Sequence, residues 1–226
     1  MVQPGAGAFP TGVVGRLSPP SWSTDSERLY VLSREPARTR LWEVTSGTLG
    51  VRPLDLPALP GGLRPTSVAV SPDGAFALAV ADRDDAEPGD GGQLFLGQFG
   101  PDGVIRWPSR PIAPGLGRVF SPVWVDPLTV AFIAETEGKD DLGRLWTMKR
   151  DGWDPTPVVN ADAEGATLVD IGSQLTVDPA GSNFIFTVGS QDGASLWMVD
   201  RQGNSLRPLT EPTPKEFDAD PSFASR

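Results

Sequence analysis

Few side chains in this sequence are suited to catalysis or metal binding. The 226 residues contain neither histidine nor cysteine, which excludes histidine-centred triads, cysteine nucleophiles and the usual zinc and iron sites built from this chain alone. The remaining candidates are carboxylates, lysines, serines, threonines and the single tyrosine, Tyr30. The linear motifs of serine hydrolases and of nucleotide-binding loops are also missing. The sequence therefore predicts no catalytic residue, no metal site and no cofactor.

Four aspartates recur about once every fifty residues, each beside Pro, Gly or Ser. They are Asp25, Asp73, Asp126 and Asp178. One interpretation is a ring of carboxylates around a central channel. We favour a turn-forming role, because an Asp side chain accepts hydrogen bonds from nearby backbone N–H groups at tight turns.

The densest acidic segment, residues 82–90, raises the question of a calcium site. Its spacing does not fit an EF-hand loop, because no Gly stands at the sixth position and no Glu at the twelfth. We interpret it as a solvated loop.

The elements that position these residues form an internal repeat. A Leu-aromatic pair opens an apolar run at residues 41–42, 94–95, 145–146 and 196–197, with separations of 53, 51 and 51 residues. Each unit contains a short inner strand, an Asp-containing turn, an apolar second strand, a third strand that carries the pair, and an outer strand. Such a repeat predicts an all-β fold, a β-propeller of four-stranded antiparallel blades. The tryptophans of the pairs are predicted to lie in the core.

The predicted blades are four full repeats and a partial or closing blade. Residues 1–16 are predicted to be a tail or a closing strand, and the repeats are 17–64, 65–118, 119–168 and 169–214, with a partial unit at 215–226. Residues 220–225 match the inner strand of the first unit. Either the two termini combine into one closing blade, or the chain is part of a longer one.

Charge and hydropathy restrict the partners. A net charge of −10 argues against nucleic acid and against anionic membrane surfaces. No apolar run approaches the roughly 18 residues of a membrane-spanning helix. Residues 1–15 lack the features of a secretory signal, so an exported protein would have lost its signal or anchor from this sequence. The oligomeric state stays open.

Two pairs of residues are candidates for binding a partner. Trp107 and Trp153 lie beside turns and outer strands, where an exposed aromatic side chain serves as a contact anchor. Packing across a blade edge is the alternative. Arg40 and Arg144 each precede a Leu-Trp pair and, with the cations at 38 and 139, suggest a patch that faces a partner. The alternative is solvated charge that protects a strand edge.

The repeats resemble those of a known propeller class. Segments 21–25, 70–74 and 196–200, followed by 206–210, are similar to TolB-type repeats, which run as a W-S-P-D-G turn, an apolar strand, an I/L-W-V strand and an R-x-L-T strand. A narrower resemblance, on segments 68–74, 93–97, 111–113, 123–126 and 128–130, is to the propeller domain of LpqB lipoproteins. These are actinobacterial envelope proteins associated with a two-component sensor kinase. The resemblance implies an extracytoplasmic location and a kinase link; a cytoplasmic location stays open.

Three functions follow as hypotheses. The first is a non-catalytic β-propeller that acts as a protein-interaction module in the bacterial cell envelope. The second is a carbohydrate-active or hydrolytic enzyme, or the gating propeller of a hydrolase, because carboxylate pairs assembled in space leave no linear motif. The third is a subunit of a larger assembly that another chain completes.

Overall fold

The computed structural model describes residues 16–18, 20–23, 27–35, 38–83, 91–113, 115–136, 143–150, 154–158, 174–190 and 193–210. The fold is a β-propeller of four antiparallel four-stranded blades, which confirms the predicted class. Blades 1 and 2 contain strands β1 (Arg16–Leu17), β2 (Ser21–Trp22), β3 (Arg28–Glu35), β4 (Arg38–Thr45), β5 (Val51–Leu54), β6 (Arg64–Val70), β7 (Phe76–Asp82), β8 (Gln93–Phe99) and β9 (Ile105–Arg106). Blades 3 and 4 contain β10 (Leu116–Asp126), β11 (Thr129–Thr136), β12 (Gly143–Lys149), β13 (Thr156–Pro157), β14 (Leu175–Val177), β15 (Asn183–Ser190), β16 (Gly193–Asp200) and β17 (Arg207–Pro208).

The inner strand of blade 1 is divided into two pieces. Both β1 and β2 pair with β3, and the residues between them include two prolines, which have no N–H to donate. Ser18 supports the interruption: its N–H donates to the Leu32 carbonyl at 3.0 Å, and its hydroxyl accepts the Leu32 N–H at 3.1 Å. Blade 1 is therefore a four-stranded blade with an interrupted first strand.

The Leu-aromatic repeat occupies the same register in every blade. The aromatic residue pairs across to the middle of the second strand, at Val31, Ala79, Phe132 and Phe186 respectively. Of the tryptophans predicted to be core, Trp42 is buried, whereas Trp146 and Trp197 are half-buried. The repeat seen in the sequence is thus a structural repeat.

The second strands form the interior of each blade, as their apolar composition predicts. In β7 the side chains from Ala77 to Ala81 are fully buried, and in β11 those from Val130 to Ala134 are at most 1% exposed. Burial on both faces follows from packing between neighbouring blades. Three apolar clusters fill the interfaces between successive blades. The first strands of neighbouring blades also contact each other: β2 with β6, β6 with β10, and β10 with β14.

Strand lengths differ from the sequence expectation at two places. The first strand of blade 3, β10, begins at Leu116 rather than at residue 122, because its early part pairs with the end of β11. Val119 in this part also bridges to Gly92 of blade 2. The outer strands β9, β13 and β17 are only two residues long. Residues 1–15 and 211–226 lie outside the described residues, so the predicted tail, the partial unit and the division into units stay predictions.

Candidate functional site

A polar pocket opens between blades 2 and 3. It lies at the ends of the blades where the second strand leads to the third, which we call the loop face. Its volume is about 660 Å³, and its lining residues are Leu63, Ala81, Asp82, Arg83, Gly92, Gln93, Leu116, Gly117, Arg118 and Glu135. The pocket is therefore built where two blades meet.

A backbone bridge joins the two blades beside this pocket. The Gly92 N–H donates to the Val119 carbonyl at 2.9 Å, and the Val119 N–H donates to the Gly92 carbonyl at 2.8 Å. A Cβ added at Gly92 would lie 2.3 Å from the Ala81 carbonyl oxygen. Glycine is required here because strand β7 passes too close for any side chain.

Charges of both signs line the pocket. The Arg118 guanidinium donates to the Gly91 carbonyl at 3.3 Å and lies 5.4 Å from the centre of the Phe120 ring. The Glu135 carboxylate accepts the Arg118 backbone N–H at 3.3 Å. Asp82 and Arg83 supply a second anion and cation. Such a lining suits a protein surface, which carries charges of both signs, better than it suits a polyanion.

Arg40 and Arg144, which the sequence suggests as partner-binding residues, lie at the same end of their blades as the pocket. Arg40 and Arg144 each stand directly before the Leu of the repeat, and Gln93, the equivalent residue of blade 2, lines the pocket. The Arg40 guanidinium lies 3.7 Å from the Glu35 carboxylate and 5.6 Å from the centre of the Trp42 ring. Arg144 is half-buried on β12, opposite Ala134. Both arginines belong to the loop face, and their partner role stays a prediction.

Trp107 packs within the molecule. It is half-buried, and its indole N–H donates to the Pro57 carbonyl at 3.2 Å in the connection between blades 1 and 2. A Cβ added at Gly97 would lie 2.5 Å from its ring. These contacts fit the alternative given for Trp107, in which it packs across a blade edge. Its role as a contact anchor for a partner stays a prediction. Trp153 lies outside the described residues, as does most of the acidic segment 82–90.

The repeated aspartates lie at the opposite end of the blades, which we call the turn face. Asp73 accepts the Ala75 N–H, Asp126 accepts the Leu128 N–H, and Asp178 accepts the Ser182 and Asn183 N–H groups. The turn-forming interpretation is confirmed for these three, while Asp25 lies outside the described residues. Burial raises the pKa of each carboxyl group, but the hydrogen bonds outweigh it and hold each pKa below its usual value.

Two of these turns also connect neighbouring blades. Arg201 of blade 4 donates to the Asp126 carboxylate of blade 3 at 2.7 Å, and Arg150 of blade 3 lies 3.7 Å from the Asp73 carboxylate of blade 2. Each Arg stands five residues after the Leu of its unit. Sequence reasoning missed both, although this shared spacing in units three and four was available as a signal.

The single tyrosine is part of a polar cluster in blade 1 in which Tyr30 and Glu43 are buried and Arg52 is exposed. Tyr30 is 4% exposed and donates to the Glu43 carboxylate, which also accepts the Arg52 guanidinium at 2.7 and 3.1 Å. Burial raises the pKa of Tyr30, and the hydrogen bond from Arg52 lowers the pKa of Glu43. Tyr30 is thus protonated at neutral pH and Glu43 is ionised, an arrangement that stabilises the blade without a reactive group.

A family model for the lipoprotein LpqB β-propeller domain matches residues 1–171. The chain belongs to this family. The match covers more of the chain than the motif segments of the resemblance, which run from residue 68 to 130. The four-part repeat is the repeat of this propeller domain. No curated protein matches the chain.

Several solved structures share this LpqB-type fold. The chain is similar to TolB from Acinetobacter baumannii, with a TM-score of 0.65, 15% identity, and coverage of 93% of this chain and 46% of TolB. For the putative TolB from Agrobacterium tumefaciens the TM-score is 0.58 and the identity 16%, over 87% of this chain and 62% of that one. For a puromycin-hydrolyzing peptidase from Mycobacterium tuberculosis the TM-score is 0.54 and the identity 16%, over 87% of this chain and 31% of the peptidase. At such identities the likeness shows the fold alone, and the chain spans less than two thirds of each of these relatives.

Two further observations concern the described part of this LpqB-family propeller. There, no group of three or more carboxylates gathers as metal ligands would. Among the same residues, no helix has the length and apolarity to cross a membrane.

Proposed function

We propose that this LpqB-family propeller is a non-catalytic protein-interaction module of the bacterial cell envelope, and that its loop face binds the partner. The observation that carries the proposal is the polar pocket between blades 2 and 3, which opens on the face that holds Arg40 and Arg144. Strand ends from several blades lie on this face and offer a broad surface to a partner, as binding faces on other scaffolds do.

The partner we propose is the extracytoplasmic domain of a two-component sensor kinase. Membership of the LpqB family supports this assignment, since the resemblance implies both the envelope location and the kinase link. The lining of the pocket, with two cations and two anions, supports a protein ligand rather than a polyanion.

The test is a binding titration between the 226-residue chain and a purified sensor domain, followed by biolayer interferometry. We expect Arg40→Ala combined with Arg144→Ala to weaken binding at least tenfold, chiefly through loss of rim charges that orient the partner. The matched control is Arg207→Ala, which removes an exposed arginine from the outer strand of blade 4. Equal affinities for the double variant and the wild type would contradict the loop-face assignment.

The hydrolytic alternative has one supporting observation, the fold shared with the puromycin-hydrolyzing peptidase. Incubation of the chain with peptide anilides and aryl glycosides would show turnover above the uncatalysed rate if the propeller itself were catalytic. We expect none. Turnover that tracks the purified protein would overturn the non-catalytic proposal.

A further inference from the structure

The wall of the pocket between blades 2 and 3 contains a β-bulge. At the start of β10, Gly117 and Arg118 together oppose a single residue of β11, Glu135. A Cβ added at Gly117 would lie 2.9 Å from the Glu135 Cβ, so the residue beside Arg118 has to be glycine. The Arg118 backbone N–H, which lies in the bulge, donates to the Glu135 carboxylate at 3.3 Å. Because a bulge redirects the side chain that it carries, this one sets where Arg118 enters the pocket.

The side chain of Arg118 is oriented by contacts with both blades. Its guanidinium Nη2 donates to the Gly91 carbonyl of blade 2 at 3.3 Å, and the group lies 5.4 Å from the centre of the Phe120 ring of blade 3. Arg118 is nevertheless exposed and lines the pocket. One hydrogen bond leaves most of the N–H donors of a guanidinium for a ligand. Arg118 is therefore both held in place and accessible.

The two carboxylates of the pocket occupy equivalent positions in blades 2 and 3 and bind backbone groups. Asp82 and Glu135 each directly follow the alanine that pairs with the residue before the repeat leucine. Asp82 accepts the Arg83 backbone N–H at 2.7 Å, as Glu135 accepts that of Arg118. In both contacts the carboxylate binds the backbone of an arginine and not its guanidinium group. Since Arg83 is also exposed and lines the pocket, the pocket presents two guanidinium groups to a ligand.

We propose that the pocket binds a carboxylate group of the partner, with Arg118 as its hydrogen-bond donor and Arg83 as a second cation. A planar guanidinium matches a carboxylate through two parallel N–H···O bonds. Asp82 and Glu135 in the same lining repel a phosphate group, which carries nearly two negative charges, more than they repel a singly charged carboxylate. The inference rests on the proposed function, which makes the partner a protein. An acidic side chain and a C-terminal carboxylate offer the same chemistry, and the test distinguishes them.

The first test is an NMR titration of the ¹⁵N-labelled chain with short peptides of alanine and glycine. One peptide has a central glutamate and two blocked ends, the second has a free C-terminal carboxylate, and the third has a central glutamine and two blocked ends. We expect at least one carboxylate peptide to shift the amide signals of Gly92, Gly117 and Arg118, and the glutamine peptide to leave them in place. The carboxylate peptide that binds identifies the source of the group. Absence of shifts with both, or tighter binding of inorganic phosphate, would overturn the proposal.

Variants of the two arginines show whether the guanidinium groups bind the carboxylate. We expect Arg118→Gln to weaken peptide binding at least about tenfold, as loss of a charge-assisted hydrogen bond implies. Arg118→Lys keeps the charge without the planar fork and should weaken it less. Arg83→Gln lies outside the bulge and is the second variant if Arg118→Gln does not fold, which circular dichroism reports. The matched control, Arg207→Gln on the outer strand of blade 4, should bind as the wild type does. Unchanged affinity in the folded pocket variants would contradict the proposal.

A titration with the purified sensor domain separates this inference from the proposed function. We expect Arg118→Gln to lower the affinity for the sensor domain at least about tenfold, in addition to the effect of Arg40→Ala with Arg144→Ala. If the sensor domain bound through Arg40 and Arg144 while neither carboxylate peptide bound, the carboxylate site would be refuted and the loop-face assignment would stand. If the peptides bound at the pocket and the sensor domain did not bind the chain, the kinase assignment would be refuted and the carboxylate site would stand.

Discussion

The interface between blades 1 and 2 differs from the two interfaces that follow it. Between blades 2 and 3, and between blades 3 and 4, an arginine crosses the turn face to an aspartate of the preceding blade. At the equivalent position blade 2 has Phe99, which packs into the apolar cluster between blades 1 and 2. Blade 1 also has a charged pair, formed by Glu43 of β4 and Arg52 of β5. This pair lies within one blade and does not cross to the next.

This difference separates the contacts that all three interfaces share from those found at only some of them. All three interfaces contain an apolar cluster built chiefly from first, second and third strands, which supplies the main stabilisation. The Arg201 and Asp126 side chains are 33% and 34% exposed, and a pair of this kind contributes at most about 1 kcal/mol. The ion pairs are therefore minor contributors to stability, while the apolar clusters hold the blades together.

The largest expected loss of stability comes from truncating the apolar clusters that all three interfaces share. Leu41 and Leu145 are the repeat leucines of blades 1 and 3, are 0% and 3% exposed, and pack into the first and third interfaces respectively. We expect Leu41→Ala and Leu145→Ala each to lower the free energy of unfolding by about 2–5 kcal/mol. Chemical denaturation measures both. A loss below about 1 kcal/mol in either variant would show that its interface does not depend on this apolar packing.

The next effect tests the local part. We expect Glu43→Ala to cost about 1–3 kcal/mol, because the buried Tyr30 hydroxyl loses its acceptor. Asp126→Ala, at the turn face, removes a half-exposed partner of Arg201 and is expected to cost about 1 kcal/mol or less. The comparison fails if Asp126→Ala proves the more destabilising of the two in the same denaturation assay.

A smaller effect concerns the indole that joins blades 2 and 3. Trp124→Phe keeps most of the packing and removes the hydrogen bond to the Ala69 carbonyl, so we expect a loss of about 1 kcal/mol. Trp107→Phe is the matched control, since its indole N–H donates at 3.2 Å from a half-buried position. An equal or greater loss for Trp107→Phe would argue against a special role of the inner-strand contact.

Sequence reasoning succeeded within units and failed between them. The four-part repeat, the buried second strands and the aspartate turns depend on residues close together in the chain, and local patterns report such contacts. The pairs Arg201–Asp126 and Trp124–Ala69 are separated by 75 and 55 residues. The spacing after the repeat Leu marks Arg201, but no local pattern specifies the partner in either pair. The early start of β10 was also missed: its first part pairs with the end of β11, and Val119 bridges to Gly92 of another blade. The pocket is likewise a product of two blades. Of its lining, the sequence analysis named only Asp82 and Arg83, in an acidic loop, and Gln93, in a motif segment.

The smallest effect is the dependence of stability on acid pH. Burial raises the pKa of Asp126, but hydrogen bonds from Arg201, the Leu128 N–H and Thr129 lower it more, while the hydrogen bond from Arg52 lowers the pKa of Glu43. A carboxyl group with a lower pKa in the folded state binds fewer protons there than in the unfolded chain. Its contribution is therefore complete above the unfolded pKa of about 4 and is lost as pH falls through the folded value.

We expect the free energy of unfolding to decrease below about pH 4 and the slope to become shallower in Asp126→Asn and Glu43→Gln. Denaturation at pH 3 and pH 7 measures the difference. The Glu43 carboxylate, 8% exposed, should account for more of the slope than the Asp126 carboxylate, 34% exposed, because solvent screens the charge of a buried carboxylate less. If Asp126→Asn removed the larger share, the ion pair at the turn face would contribute more to stability than the Glu43 cluster of blade 1.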